Sequence, residues 1–405
     1  HVFVLFNLII PFFVFYLTDK IMFLRPGGHG ETSLLEKNPL YDTYKSKTHY
    51  FNAFVLCLIF FILGLLPLIF QYTPLPDMLG LQKDYTFAEL GLSFFGNEKF
   101  FGFTDDGKGP FGIGALLLGM FLPFGIAMFF VIAYGDKTRE LIIARENMKQ
   151  LEAEFNNSLF QLGNRIGNGV PPELAFGKVA GSARGLKTED FFNRVNYNVT
   201  QMGMSVEKAI FDSKRGAIIY YPSELIATSM RVLIESAKRG LNIAATSLIS
   251  ISEYVKNMQK ITQRLEDMLA EIVSDMKSNM TFLAPLLAGI VVGLAAMITS
   301  ILTKLQFIGG LGETSALGNF EDILKLFNVA EMIPPYFLQI IIGVYIIQII
   351  FILTRTLVAV DSGEDKLERT NKTGKNLQVG VLLYIITSFA ATLALFILSV
   401  FVLRF

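Results

Sequence analysis

Tryptophan is missing from this 405-residue chain, cysteine occurs once and histidine three times. The one cysteine, Cys57, lies in an apolar run, so no intrachain disulfide can form and nothing follows about redox compartment. His1, His29 and His49 all precede the third long apolar stretch, and no His–Glu–x–x–His pattern occurs. A His/Cys metal centre therefore lacks donors, and no cofactor is called for. Ser223 and Ser229 have no histidine near them in sequence, so no nucleophile–base pair stands out and the chain does not read as an enzyme. Charge is scarce as well. Charged residues make up 17% of the chain, against about 25% in ordinary soluble domains. The formal net charge is zero, which argues against a general nucleic-acid binder. Without tryptophan, any interfacial aromatic belt falls to tyrosine and phenylalanine, as at Tyr50, Tyr72, Tyr134 and Tyr384.

What the chain has in abundance is apolar sequence, 52% of its residues. Six stretches approach the roughly 20 apolar residues needed to cross a bilayer as a helix. They give expected spans at 1–24, 50–70, 113–135, 281–303, 336–358 and 377–405. The expected fold is all-α: a polytopic membrane protein of the cell membrane with six transmembrane helices and one helical-bundle domain at 136–280. The chain opens at His1 inside an apolar run. No basic leader precedes that run and no small-residue cleavage site follows it, so a signal peptide fits poorly. The first span reads as truncated.

The positive-inside rule orients these spans. Lys137, Arg139, Arg145, Lys149 and Lys277 flank the bundle segment. Arg355, Lys366, Arg369, Lys372 and Lys375 crowd the short loop at 359–376. Both should be cytoplasmic, with the loop at 25–49. The loop at 71–112 carries Asp77, Asp84, Glu89, Glu98, Asp105 and Asp106. The loop at 304–335 carries Glu313, Glu321, Asp322 and Glu331. These two should face outside. Pro67, Pro123 and Pro285 fall in or at the rim of spans, where they mark kinks. Gly289 and Gly293 form a Gly–x–x–x–Gly pair that would let a neighbouring helix approach closely. The spans hold no run of ionisable residues, the usual mark of an ion or proton pathway. Gln348 is a lone central amide.

Within 136–280 the pattern is helical throughout. Val255, Met258, Ile261, Leu265, Met268, Leu269, Ile272, Val273 and Met276 share one helical face. The segment also repeats itself. Gly169–Val–Pro–Pro–Glu173–Leu–Ala175–Phe176 echoes Gly203–Met–Ser–Val–Glu207–Lys–Ala209–Ile210. Each reads as a helix stop on a left-handed glycine, then a helix start. Pro172 suits a first turn and Ser205 an N-cap. Glu173 and Glu207 then sit at positive helix N-termini. Arg239–Gly240–Leu–Asn242 is a looser third copy, too poor to count towards a repeat array.

Two stretches carry a resemblance to a known family. Residues Leu159–Phe–Gln–Leu–Gly–Asn–Arg–Ile–Gly–Asn–Gly–Val–Pro–Pro–Glu–Leu–Ala–Phe–Gly–Lys–Val–Ala180 resemble the type II secretion system F domain. So do Ser229–Met–Arg–Val–Leu–Ile–Glu–Ser–Ala–Lys–Arg–Gly–Leu–Asn–Ile–Ala–Ala245. The layout of bundle and spans over about 136–405 is most similar to the archaeal branch, the platform protein of the archaellum or of archaeal type IV pili. The resemblance implies a non-enzymatic platform on which pilin or archaellin-like subunits assemble. It implies docking of a hexameric secretion ATPase on the cytoplasmic bundle. Members commonly carry two such domains, and one is visible here. A homo-oligomer, at its simplest a dimer, and the lipid bilayer are the other expected partners. For the ATPase dock the exposed basic residues Arg165, Lys214, Arg215, Lys238 and Arg239 are the candidates, with Lys366, Arg369 and Lys372 in second place.

Gly102–Phe–Thr–Asp–Asp–Gly107–Lys108 has phosphate-loop spacing, but Gly109 stands where Ser or Thr would hold Mg²⁺, so it reads as a turn. Asp105 and Asp106 have the charge to attract a cation, but a solvated loop is the simpler reading. The competing functions are a small-molecule transporter, which would need polar residues converging at mid-membrane, and a membrane-anchored scaffold.

Overall fold

A computed structural model describes residues 1–23, 41–89, 91, 99–104, 108–221, 223–310, 332–363 and 365–402. Among the described residues the chain is all-α, with six helices long and apolar enough to cross a membrane. Most of 25–49 and of 304–335, and the pair Asp105 and Asp106, lie outside the described residues. In chain order the main helices are α1 (Ile10–Phe23), α2 (Thr48–Tyr72), α3 (Ile113–Gly119), α4 (Phe121–Gly167), α5 (Pro172–Ser182), α6 (Thr188–Thr200) and α7 (Val206–Phe211). They continue as α8 (Ala217–Tyr220), α9 (Glu224–Ala237), α10 (Leu241–Ser278), α11 (Ala284–Gly310), α12 (Pro335–Ser362) and α13 (Lys366–Val402). Two compact units result.

One unit holds the membrane spans. Its outer helices show large apolar side chains, as expected for a lipid-facing surface: Phe12, Phe51 and Ile59 are each more than half exposed. Proline sets the irregularities. A proline lacks the N–H that would bond the carbonyl four residues back. Pro123 denies a partner to Gly119, and the third span breaks there, between α3 and α4. Pro11 and Pro285 each follow a short π segment, Leu5–Ile9 and Asn279–Leu283. In such a segment the wider i→i+5 pattern accommodates the missing donor. Pro67 sits inside α2 without a break.

Polar side chains lock the spans to one another. Tyr336 donates its hydroxyl to the Gly64 carbonyl at 2.8 Å, and Tyr384 donates to the Gln339 carbonyl at 2.8 Å. Asn376 donates to Thr354 Oγ1 at 3.1 Å. Tyr384 is therefore a fully buried core residue and not part of an interfacial belt. Its ring has the right chemistry for a belt, but its hydroxyl finds a carbonyl inside. Tyr50 and Tyr134, by contrast, pack edge to face, with the Lys137 ammonium 5.3 Å above the Tyr50 ring. Gly289 and Gly293 face α13. A Cβ on Gly289 would overlap Thr387 Oγ1, and one on Gly293 would stand 2.6 Å from the Ala391 Cβ.

The expected loop at 359–376 is helical almost throughout. Helix α12 runs to Ser362, Gly363 takes φ +80°, and α13 starts at Lys366. Asp365 caps α13 by accepting from the N–H groups of Leu367 and Glu368 at 3.0 and 3.1 Å. The expected extramembrane loop at 71–112 is pinned by Asp84. Its carboxylate accepts from the N–H groups of Phe101, Gly102 and Phe103 at 2.8 to 3.1 Å. At the described ends of the phosphate-loop-like stretch, Thr104 N–H donates to the Lys108 carbonyl at 2.9 Å, and 105–107 lie outside the described residues. The next helix begins only at Ile113.

The second unit is a helical bundle, its core running from Leu151 to Leu248. Phe155, Phe176, Phe191 and Phe192 are fully buried at its centre. The Phe191 and Phe192 rings meet edge to face at 5.3 Å, and Phe155 stacks on Phe192 at 5.8 Å. Each such side chain contributes roughly 1.5–3 kcal/mol by leaving water. The bundle is entered by α4 and left by α10, both continuous helices that extend well beyond its core.

Candidate functional site

Helix α6 shows how the bundle presents chemistry. Phe191, Phe192 and Val195 point into the core. Asp190, Asn193, Arg194 and Tyr197, spaced at three, four and seven residues, share the opposite face. Asn198 lies at the boundary and is buried. Its side-chain amide donates to the carbonyls of Ala209 at 3.1 Å and Arg215 at 2.9 Å. One residue of α6 therefore holds both α7 and the turn that follows it. Asp212 shapes that turn by accepting from the N–H groups of Lys214 at 2.9 Å and Arg215 at 2.8 Å. Those two bonds hold its carboxyl below the usual carboxylate range.

The turn and α8 thereby close a groove against α6 of about 580 Å³, lined by Asp190, Arg194, Tyr197, Met202, Arg215 and Tyr220 among others. The Arg194 guanidinium lies 3.5 Å over the Tyr220 ring, a stacked arrangement that presents the cation on a flat apolar support. Tyr197 and Tyr220 are both more than half exposed. Tyr221, at the groove's inner edge, packs edge to face on Phe191. Burial, with help from the Asp190 charge, pushes its phenol up. Tyrosine and arginine side chains of this kind dominate binding energy at protein interfaces. Two arginines against one aspartate leave the groove positive, suited to an acidic partner surface.

A second groove, about 250 Å³, forms where the echoed motifs meet. Pro172 and Glu173 from one copy line it with Val206 and Glu207 from the other, together with Leu233, Ile234, Ala237 and Lys238. The glycine stops behave alike: Gly169, Gly203 and Gly240 all have positive φ, at 82°, 65° and 131°. The looser third copy is thus a helix stop of the same type. Ser205 caps α7 by accepting from the Lys208 N–H.

The five basic residues singled out by sequence are not gathered in one groove. Arg215 joins Arg194 in the larger groove, and Lys238 lines the smaller. Lys238 is paired with Glu235 at 2.8 Å, which raises the lysine's pKa and lowers the glutamate's. Arg165 donates to Ser182 Oγ at 2.6 Å. Lys214 and Arg239 are exposed. In the membrane unit, Lys372 is held by Asp361 and by Glu368 at 3.4 Å, so much of its charge is answered locally. Lys366 and Arg369 instead line a small cleft with Arg355. Arg355 itself pairs with Asp19 at 3.3 Å.

Arg194, Tyr197 and Tyr220 escaped the sequence reading. The signal available was the polar face of α6 at helical spacing beside the Tyr220–Tyr221 pair. Among the described residues no group of His, Cys, Asp and Glu is placed to hold a metal ion. Comparison with protein-family models, with curated proteins and with solved structures finds no match.

Proposed function

We propose that this chain is a membrane platform for assembly of a type IV pilus-like filament, and that its bundle, on the cytoplasmic side, docks a hexameric secretion ATPase. The observation that carries the reading is the positive, aromatic groove of Arg194, Tyr197, Arg215 and Tyr220 on a bundle inserted between the third and fourth spans. An ATPase partner would bring acidic side chains to the two arginines and apolar stems to the tyrosines. Electrostatic attraction would speed the encounter, and the aromatic contacts would slow release. The bundle is joined to the spans through helices, α4 on one side and α10 with its π segment on the other. Such linkers suit a protein that passes force from a motor to a membrane assembly.

The test is binding of the full-length chain in nanodiscs to a hexameric secretion ATPase at two salt concentrations, with ATP turnover followed. Arg194→Glu with Arg215→Glu should weaken binding at least tenfold, and the loss should shrink at high salt. No binding at either salt concentration sinks the reading and moves transporter or scaffold functions ahead.

A further inference from the structure

Beyond the core of the bundle, α10 carries an apolar stripe that no other described residue covers. Tyr254, Met258, Ile261, Leu265, Met268 and Ile272 are 44 to 77% exposed. Large apolar side chains in water along one face mark an interaction surface. The surrounding sequence is aqueous in character: Lys256, Lys260, Arg264, Glu266, Asp267 and Glu271 occupy the other faces. The stripe is spaced four, three, four, three, four. That is the 3.5-residue repeat of a coiled-coil seam, widened on one flank by Val255 and Leu269. Met258, Leu265 and Ile272 take the a positions, with Tyr254, Ile261 and Met268 at d.

We propose that this stripe pairs with the same stripe of a second copy as a parallel, in-register two-stranded coiled coil. Three observations choose that occupant. Helix α10 leads through the π segment into the fourth span. Copies of a membrane protein insert in the same sense, so their α10 helices run parallel and identical positions can meet across a two-fold axis. Flanking charge permits it too. Val255, Thr262 and Leu269 hold the e positions, so Asn257, Arg264 and Glu271 at g meet no like charge from an identical partner. Size is sufficient. At roughly 100 Å² per side chain, six from each copy remove on the order of 1,200 Å² from water, the lower bound of a specific interface.

The proposal concerns self-association and does not depend on the ATPase. Its test uses the full-length chain in native membranes, with Cys57→Ser removing the one natural thiol. Single cysteines are then placed at 258, 261, 265 and 268 and, as controls, at the outward f positions 256, 263 and 270. Under a mild oxidant, in-register a and d positions should cross-link to a dimer at least tenfold faster than f positions, because only they bring Cα atoms within disulfide reach. Leu265→Glu with Met268→Glu should abolish the cross-link at Ile261→Cys, and these exposed sites can change without disturbing the core. A flat pattern across all seven positions overturns the coiled coil. So does absence of dimer at every a and d position, or cross-linking to a different protein. None of these outcomes bears on ATPase binding.

Discussion

Replacing Asn198 by aspartate keeps the side chain's shape and removes both of its donors. The carbonyls of Ala209 and Arg215 would lose their amide partner in a buried site. A buried acceptor left unsatisfied costs about 1–3 kcal/mol, so two cost about 2–6 kcal/mol, less whatever one proton on the new carboxyl recovers. The cost falls on α7 and the turn carrying Arg215, not on the phenylalanine core. Hydrogen–deuterium exchange of the full-length chain in nanodiscs reads it directly. Peptides over 206–216 should exchange about 30-fold faster, the equivalent of about 2 kcal/mol. Peptides over Phe155 and Phe176 should change little. Thr200→Val is the control, because Thr200 is exposed and its hydroxyl only donates back to the Asn196 carbonyl. It should stay within about 0.5 kcal/mol of the parent. An Asn198→Asp protein whose 206–216 exchange rises less than threefold would refute the assignment of Asn198 as the clamp of this groove.

Other substitutions probe other links. Ser223 caps α9 by accepting from the Ile226 N–H and donates its own proton to Glu152 on α4. Ser223→Ala should therefore destabilise the bundle by about 1–2 kcal/mol in thermal unfolding, and an unchanged midpoint would remove that bond from the account. The depressed Asp212 carboxyl contributes stability above the ordinary carboxylate pKa of about 4 and loses it as pH falls through the depressed value. Amide protection of Lys214 and Arg215 should thus persist at pH 5 and fade only below about 4, whereas Asp212→Asn should flatten the profile. Gly293→Ala should lower thermal stability in detergent by about 1–3 kcal/mol through overlap with Ala391. Adding Ala391→Gly should return part of the loss; no recovery would mean that the contact is not what limits the fit.

The spans were legible because a run of some 20 apolar residues is a one-dimensional signal that needs no knowledge of neighbours. The helix stops at Gly169 and Gly203 were legible for a similar reason: a positive φ at a helix end is a local demand that glycine meets. Positions that depend on packing partners were less accessible. Tyr384 has the composition of an interfacial tyrosine, and only the Gln339 carbonyl beside it makes it a core residue. Lys372 reads as free charge until α12 brings Asp361 alongside. The groove on α6 requires α8 to return beside it, and Tyr220 lies 26 residues beyond Arg194 in a turn-rich stretch. The face from Val255 to Met276 was visible as a period, but a period does not say whether a core, water or another chain lies opposite.

The π segment Asn279–Leu283 also acts as a phase shifter. One inserted residue turns everything after it by about 100° relative to an uninterrupted α-helix. Counted at about 100° per residue, Gly289 and Gly293 would otherwise stand roughly 80° from Ile272, crowding the side of the helix where the heptad stripe ends. With the insertion they stand roughly opposite it. The glycine edge that meets α13 then lies clear of the side on which Ile272 stands. Removing one residue from Asn279–Leu283 would let the helix run as plain α without turning the glycine edge, because one fewer step of about 100° also leaves it roughly opposite Ile272; the π turn thus carries an extra residue at no change of face.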